Sequence, residues 1–398
     1  MITKDLLIED VLRDYPDLIY VFETKGFKGL DNELVLKQVG KMSLESVLKN
    51  KKLNVDVFVD LLNETLEGKK SEDITLVERD NVEGKINIVG LLPCPVRVPL
   101  LEAFSRYENI NEVNYELRAA SEGLDWLKED IQKADSPDEL ADVFISAGFD
   151  LFFEEDLMKK FKDQGVFKDF TGLKDYNTDF ENDHISLKDP KGEYSMLGVV
   201  PAVFLVNKKE LGDRPMPKSW ADVLDPIFEG SVSLPVSDFD LFNAILIHLY
   251  KDFGPDACVK LGKSLIESMH PTQMLKSEKK SARVKPAISI MPYFFTKMAL
   301  PGSVLEAVWP EDGAIISPIF MLTKSAKKED VEPIAKMFAS REIGEIMSHK
   351  GLFPSVRNDI DNKLKNNKFR WIGWDYINSN DIGSILKECM TLFEKGMM

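Results

Sequence analysis

The amino-acid sequence predicts an α/β protein preceded by a small all-α domain. Within residues 1–68 the apolar side chains recur at helical spacing, whereas from residue 85 onward apolar runs of strand length alternate with helical segments. That alternation is typical of a largely parallel sheet covered by helices. Residues 69–84, KKSEDITLVERDNVEG, are polar and of mixed charge, as in a linker. The predicted organisation is therefore a helical domain at 1–68, a linker at 69–84 and an α/β domain at 85–398.

Two amphipathic segments support the helical domain. Tyr15, Leu18, Ile19 and Phe22 follow the i, i+3, i+4, i+7 spacing that places side chains on one face of a helix. Asn54 is a suitable N-cap for a second helix, whose apolar face would include Phe58, Leu61, Leu62 and Leu66.

Four apolar runs predict the strands of the α/β domain: INIVGLL (86–92), DVFISAGFD (142–150), GVVPAVFLVN (198–207) and VSLPV (232–236). The proline inside the third run favours an edge strand or a strand that crosses between halves of the fold. Ser136, followed by Pro137 and Glu139, predicts a helix start with a capping box. Ser219 predicts the N-cap of a short helix, WADVL.

The composition excludes several classes of function. A net charge of −16 argues against a protein that binds the nucleic-acid backbone, which needs a basic face. Three widely spaced cysteines without a CxxC pair argue against a disulfide framework or a zinc site, and fit a reducing compartment. The N-terminal residues lack the apolar segment of a secretory signal, and no apolar run reaches the ~18 residues of a membrane span. The sequence as given thus predicts a cytoplasmic protein without a membrane span, or an extracytoplasmic one if a leader was removed.

Motifs for catalysis, nucleotides and metals are absent from the sequence. GxGxxG, GxxxxGK[ST] and GxSxG do not occur. His184, His248, His270 and His349 have no second ligand at helical spacing, although distant residues could still assemble a metal site. We therefore predict no catalytic residue, no metal ligand and no cofactor.

Two segments resemble a known family. MPKSWADVLDPIFEGSVSLP (216–235) and residues 309–355, from WPEDGAIISP to MSHKGLFPS, resemble bacterial ABC-transporter substrate-binding proteins. The resemblance is closest to the type II periplasmic-binding branch that includes ferric-ion binders. It implies a two-lobed clamp over residues 85–398, with one lobe at about 85–198 and 312–398 and the other at about 199–311.

The N-terminal residues resemble a second family. ITKDLLIEDVLRDYPDLIYVFETKGF (2–27) and SLESVLKNKKLNVDVFVDLLNETL (43–66) are similar to a small helical domain of unknown function (DUF1858-like), found alone or fused in anaerobes. Many of its members carry cysteines where this chain has Lys28, Gly29 and Leu30. The resemblance therefore implies a packing module, or one that docks a protein partner, rather than a metal or redox domain.

The connection after the first predicted strand is the leading candidate for a ligand site. In the implied fold, ligands bind in the cleft at the carboxyl ends of strands. Pro93 and Pro95 lack amide donors, so the amides of Cys94, Val96 and Arg97 remain for an anion, and the Arg97 side chain could add a bidentate contact. We expect Arg97 to face solvent when the cleft is empty. Cys94 could line the cleft, be a buried inert thiol or act as a nucleophile.

Three further loops complete the predicted cleft. Ser146, Ala147 and Gly148 end the second strand, where a small hydroxyl and a glycine let a ligand approach the backbone. Ser237 and Asp238 follow the strand VSLPV; Asp238 could bind a cation or cap the next helix. Tyr293 is a single tyrosine, whereas ferric binders of the resembled branch typically use an adjacent Tyr-Tyr pair.

These features predict a non-catalytic protein that binds a small anionic or polar ligand between two lobes, as a sensor or carrier. Two alternatives remain open: a transferase-like enzyme on the same bilobal fold, since fold does not fix function, and a protein that binds ferric or other metal ions.

The predicted linker can be tested by limited proteolysis. We expect a protease at low concentration to cut first within 69–84, because a polar linker has little core to protect it. Mass spectrometry of the early fragments locates the cut. First cuts within 100–300 would contradict the predicted boundary.

Overall fold

The protein is described by a computed structural model. It covers residues 2–15, 18–24, 27, 30, 35–36, 39–51, 55, 58–59, 62, 76–78, 86–93, 96–107, 110–119, 124–236, 239–278, 282–297, 299, 302–364 and 367–398. The chain divides into two compact units: Met1–Leu76 with Arg118–Glu122, and Val77–Leu117 with Gly123–Met398. Most of the predicted linker lies outside the described residues, apart from a short strand, β1, at Leu76–Glu78.

The first unit is helical. Its described helices are α1 (Ile8–Asp14), α2 (Ile19–Thr24) and α3 (Leu44–Asn50). Ser43 caps α3 by accepting a hydrogen bond from the Ser46 amide. The core includes the rings of Phe22, Phe27 and Phe58, with centroids 5.2 to 6.2 Å apart.

The predicted helical face through Tyr15 is wrong in one respect. Tyr15 has φ −137° and ψ 68° and ends α1, so it does not share a helix with Phe22 of α2. The cause is readable in the sequence, since Pro16 disfavours helical geometry in the residue before it. Asn54, the predicted cap, lies outside the described residues, and Phe58 and Leu62 are buried.

The second unit is built on a mixed sheet. Its strands follow the order β3-β2-β4-β12-β7-β10-β8-β9, with β11 beside β7 and β13 beside β12. Their bounds are β2 Ile86–Leu92, β3 Val113–Ala119, β4 Val143–Ala147, β7 Ser195–Asn207, β8 Val232–Leu234, β9 Leu265–Ser268, β10 Ile288–Pro292, β11 Leu305–Val308, β12 Ala314–Thr323 and β13 Phe369–Arg370; β5 (Glu181–Asn182) and β6 (Ile185–Ser186) form a separate hairpin. The four predicted strands are confirmed as β2, β4, β7 and β8.

Helices cover the sheet of the second unit. They are α4 Arg97–Phe104, α5 Asp125–Lys133, α6 Asp150–Phe153, α7 Lys208–Leu211, α8 Trp220–Val223, α9 Phe239–Phe253, α10 Asp256–Ser264, α11 Pro271–Lys276, α12 Tyr293–Thr296, α13 Lys328–Phe338, α14 Arg341–Glu345, α15 Trp374–Ser379 and α16 Ile382–Met397. Within the described part of the chain, no helix has the length and apolar character that a bilayer crossing requires.

The two predicted helix starts differ in outcome. Ser219 caps α8 in a full capping box with Asp222, as expected. The prediction at Ser136 is wrong, because Pro137–Glu139 form a single 3-10 turn and Leu140 is already extended. Glu139 bonds to the Ser136 hydroxyl and the Asp135 amide, so the capping residues close a turn that leads into β4.

Aromatic side chains form the centre of the core of the second unit. The Phe320 ring of β12 lies 5.0 Å from Phe152, 5.6 Å from Phe153 and 5.9 Å from Tyr194. The C-terminal helix α16 packs against α10 and α9, helices of the predicted second lobe, although the sequence analysis placed 312–398 in the first. Its buried residues, among them Cys389 and Phe393, explain the difference because they face those helices.

His248 of α9 is a buried histidine in this core. Its side chain is 1% exposed, and its Nδ1 donates a hydrogen bond to the Ala244 carbonyl at 2.6 Å. Burial lowers the pKa of His248 to about 3, and the positive charges of Lys251 and Arg370 act in the same direction. The imidazole is therefore neutral in the folded protein at neutral pH.

Stability is expected to fall on mild acidification because of His248. The unfolded state binds a proton below its pKa of about 6.5, whereas the folded state does not until about pH 3. This contribution is complete above pH 6.5, and below it the free energy of unfolding should fall by up to about 1.4 kcal/mol per pH unit. Urea unfolding at pH 7.5 to 5 measures the slope. His248→Gln should reduce the slope of the unfolding free energy against pH, whereas His184→Gln, a change at an exposed histidine, should leave the slope unchanged. Equal slopes in the wild type and both variants would contradict the role of His248.

Candidate ligand-binding cleft

Two long antiparallel strands, β7 and β12, connect the two halves of the sheet. In their register Ile319 lies beside Gly198. On one side β4 joins β12, with Ala147 beside Ile319. On the other side β10 joins β7, with Pro292 beside Ala202. The carboxyl ends of β4 and β10 therefore fall at positions four residues apart along β7.

These strand ends point toward each other. β4 runs in the direction of β7, because both are antiparallel to β12, whereas β10 runs against β7. β2 is parallel to β4, and β8 is parallel to β10. The carboxyl ends of β2 and β4 therefore face the carboxyl ends of β8 and β10. Along the direction of β7 the gap is about 13 Å, at 3.3 Å per residue. We call this gap the cleft; its floor is residues 198–202 of β7 and 315–319 of β12.

Each floor strand contains a proline at the point where the pairing with one of its neighbouring strands has ended. Pro201 lies one residue beyond the stretch of β7 that pairs with β10, and Pro318 lies one residue beyond the stretch of β12 that pairs with β4. A proline cannot donate to a ladder, so it is tolerated where no strand lies alongside. The expectation of a crossing strand for GVVPAVFLVN is therefore confirmed.

The connection after β2 leads directly into α4. Val96 is fully buried, and its amide donates to the Pro93 carbonyl at 3.1 Å. This corrects the expectation that the Val96 amide remains for a ligand, because the turn itself uses it. Arg97 is the first residue of α4 and is only 4% exposed, so the expectation that it faces solvent is also wrong. Its charge is enclosed at the strand end.

The loop after β4 lies beside that connection. Gly90 of β2 is level with Ile145 of β4, so the ends of the two strands are adjacent. Ser146 is fully buried, and its hydroxyl donates to the Ala147 carbonyl at 3.0 Å. Gly148 has φ 101°, a conformation that favours glycine. Val96, Arg97 and Ser146–Gly148 thus follow two adjacent strand ends, on the side of the cleft that we call the first wall.

Tyr293 lies at the opposite wall. It begins α12 immediately after β10, and its half-buried ring meets Trp309 edge-on at 5.1 Å. Lys297 Nζ lies 4.9 Å from the centre of the same ring. The remaining predicted residues, Cys94, Pro95, Ser237 and Asp238, lie outside the described residues.

The sequence analysis missed an aromatic contact between the walls. Phe294 of α12 packs against Phe353 at 5.2 Å. Phe353 belongs to a turn held against the floor, since the Val199 amide donates to the Pro354 carbonyl at 3.0 Å. A side chain at Gly198 would bring a Cβ within 2.8 Å of that carbonyl oxygen. The PYFF run could have suggested the first ring, but nothing in the sequence indicates its partner.

Ser317 is a second residue that the sequence did not indicate. It lies beside Val200 in the middle of the floor and is 1% exposed. Its hydroxyl is buried and has no hydrogen-bond partner among the described residues. A buried hydroxyl of this kind is costly unless something else satisfies it.

Other cavities lie away from the cleft. Three that the described residues outline have volumes of about 290, 710 and 440 Å³, and no predicted ligand-binding residue lines them. The loops at 94–95 and 237–238 are outside the described residues, so the described part of the chain does not enclose the cleft. The described residues also contain no group of three His, Cys, Asp or Glu side chains able to hold a metal ion.

A double-mutant cycle tests the contact between the walls. Phe294→Ala and Phe353→Ala should each destabilise the protein, and their coupling energy should be about 0.5–1.5 kcal/mol, as for other aromatic pairs. Urea unfolding of the four proteins gives the coupling. The control cycle combines Phe294→Ala with Phe228→Ala. The Phe228 ring packs against Arg214, so the destabilising effects of these two changes should be additive. Additivity in both cycles would contradict the contact.

Comparisons with known proteins agree with this architecture. Residues 138–380 match the family model described as bacterial extracellular solute-binding protein, and residues 2–59 match the domain of unknown function DUF1858. No curated protein matches the sequence significantly.

Solved structures similar to the chain include two ferric binding proteins and a periplasmic binding protein. The ferric binding protein from Campylobacter jejuni has a TM-score of 0.55 at 17% identity, over 78% of this chain and 99% of that chain. Apo ferric ion-binding protein A from Pasteurella haemolytica has a TM-score of 0.57 at 16% identity, over 78% and 98%. AfuA from Actinobacillus pleuropneumoniae, solved with fructose-6-phosphate, has a TM-score of 0.52 at 16% identity, over 78% and 97%.

The identities are too low to transfer a ligand, but the fold is shared. The α/β unit is a two-lobed clamp of the type II periplasmic-binding class, with a helical region before it. The family model covers more than half of the 398 residues. The chain therefore belongs to the bacterial extracellular solute-binding protein family.

Proposed function

We propose that the protein binds a small anionic or polar molecule in the cleft and performs no catalysis on it. The observation that carries the proposal is the opposed pair of strand ends above a two-strand floor. Two lobes joined in this way can close around a ligand. Membership of the family supports a role as a sensor or carrier of that molecule.

The charge at the first wall supports an anionic ligand. Arg97 is an enclosed cation at the start of an eight-residue helix, whose N-terminus also favours negative charge. A guanidinium can make a bidentate contact with a carboxylate or a phosphate, so a ligand that carries one of these groups suits this side of the cleft. Inorganic phosphate and citrate are suitable first probes of this chemistry.

The chemistry of the walls supports binding rather than catalysis. The Ser146 hydroxyl is engaged with a backbone carbonyl, and the described candidate residues of the two walls include no acid–base pair. A nucleophile without a base is a poor catalyst. We therefore place the transferase alternative second.

Binding of ferric ion is also less well supported. Tyr293 is followed by Phe294, whose ring packs on Phe353, so that position offers no phenolate. Two of the similar solved proteins are titled ferric binders, and a third was solved with a sugar phosphate. Those ligands belong to those proteins, and identities of 16–17% do not carry them to this chain.

We also propose that the helical domain at 1–68, which a linker at 69–84 joins to the α/β domain, docks a protein partner. The match to DUF1858 supports a separate module but gives it no activity. The compartment, cytoplasmic or extracytoplasmic, remains a prediction.

Arg97 provides the test of the proposed site. Native mass spectrometry of freshly purified protein first shows whether a small molecule is retained. Calorimetry with inorganic phosphate, citrate or the retained molecule then measures affinity. Arg97→Ala should weaken binding by about 30- to several-thousand-fold, the equivalent of about 2–5 kcal/mol for a buried charge-assisted contact. Arg97→Lys should lose less, because it keeps the charge but not the bidentate geometry.

Arg106→Ala is the matched control. Arg106 lies just beyond the end of α4, pairs with Glu342 and is 59% exposed, so its removal should leave affinity unchanged. Since Arg97 is buried, the thermal stability of each variant without ligand must be measured alongside. Tight binding that is unaffected in a folded Arg97→Ala variant would contradict the role of this wall.

A further inference from the structure

Helices α10 and α16 cross with their backbones in contact. A Cβ added at Gly262 of α10 would lie 2.1 Å from the Phe393 carbonyl oxygen and 3.0 Å from the Gly396 Cα. A Cβ at Gly396 of α16 would lie 2.1 Å from the Val259 carbonyl oxygen. Only glycine permits so close an approach at both positions.

Two thiols meet one helical turn before this crossing. Cys258 lies four residues before Gly262, and Cys389 lies four residues before Phe393, so each thiol shares a helix face with its crossing residue. Both cysteines are fully buried. Both sulfurs also contact one atom, the Leu246 carbonyl oxygen of α9, at 3.8 Å and 4.0 Å.

The two thiols are close neighbours, since both sulfurs lie within 4.0 Å of the same carbonyl oxygen. The neighbouring Cys258 thiol and burial both raise the pKa of Cys389 well above the ordinary range. A thiol is a poor nucleophile when it is buried and protonated. The folded dithiol should therefore react slowly with oxidants and alkylating reagents.

We propose that Cys258 and Cys389 form a disulfide that joins the C-terminal helix to α10 when the chain folds in the presence of a disulfide oxidant. Two successive exchanges with one glutathione disulfide suffice. A cysteine thiolate attacks the S–S bond and releases one glutathione thiol, and the second cysteine then displaces the other. The protein loses two protons and two electrons, and the oxidant becomes two thiols.

The wide spacing of the three cysteines in the sequence argued against disulfide bonds, and the proposed pair differs from that expectation. The fold brings two of them together and leaves Cys94 in another part of the chain, after β2. The bond would close a loop of about 130 residues. Cross-links over long loops restrict the unfolded chain most, so the melting temperature should rise by about 5 °C.

The experiment uses the wild-type full chain, unfolded in urea and refolded with either glutathione disulfide or reduced glutathione. Free thiols are blocked with N-ethylmaleimide before trypsin digestion. Trypsin places the three cysteines on three peptides, INIVGLLPCPVR (86–97), DFGPDACVK (252–260) and ECMTLFEK (388–395). We expect the second and third peptides to be linked in the oxidised sample, and the melting temperature of that sample to exceed that of the reduced one.

Two controls distinguish this pair from other outcomes. Cys94→Ala should leave the link intact, and Cys258→Ser or Cys389→Ser should abolish it. Folded reduced protein should react with N-ethylmaleimide at these two positions much more slowly than unfolded protein. Links to 86–97, or glutathione adducts on both helices without a link between them, would overturn the proposal. The wild-type peptide map decides the question even if a serine variant fails to fold.

Discussion

The antiparallel pairing of β7 with β12 is the constraint on which the rest of the α/β unit depends. Both sets of strand ends are positioned by their register with these two strands. At residues 199–201 and 316–318 none of the other strands given above pairs with these two, and each of the two strands contains a proline there. A narrow connection with few ladder bonds bends more readily than a wide sheet, whereas the aromatic core behind it, around Phe320, resists opening.

Close backbone approaches hold the first wall in place. The turn at 351–354 lies against the floor through the bond from the Val199 amide to the Pro354 carbonyl. It lies against the connection before α4 as well, since a Cβ at Gly351 would come within 2.3 Å of Val96. A single turn therefore supports the floor, the start of α4 and Phe353. Its sequence, Gly-Leu-Phe-Pro, lies within the second of the two segments that resemble substrate-binding proteins.

Local patterns predicted the elements of the fold more reliably than its contacts. The runs at 86–92, 198–207 and 232–236 became strands because continuous apolar stretches suit a sheet buried on both faces. The helix predicted at Ser136 failed because the same capping residues also close a single turn before a strand. Arg97 was expected in solvent, since burial depends on residues far away in the chain. The contacts between Phe294 and Phe353, and between Cys258 and Cys389, join distant segments, and no local signal encodes them.

The offset between the two strand ends along β7 also limits the size of what the protein can hold. Four residues of extended chain offset the two sets of strand ends by about 13 Å along β7, and side chains on both walls occupy part of that length. A molecule that touches both walls must span the remainder, which suits a compact metabolite with a few polar groups better than a polymer. Adding two residues to each floor strand would lengthen this offset by about 7 Å. The same side chains would still face the cleft, because successive side chains of a strand alternate between its two faces. A longer pair of crossing strands would thus widen the cleft without any change in the loops at the strand ends.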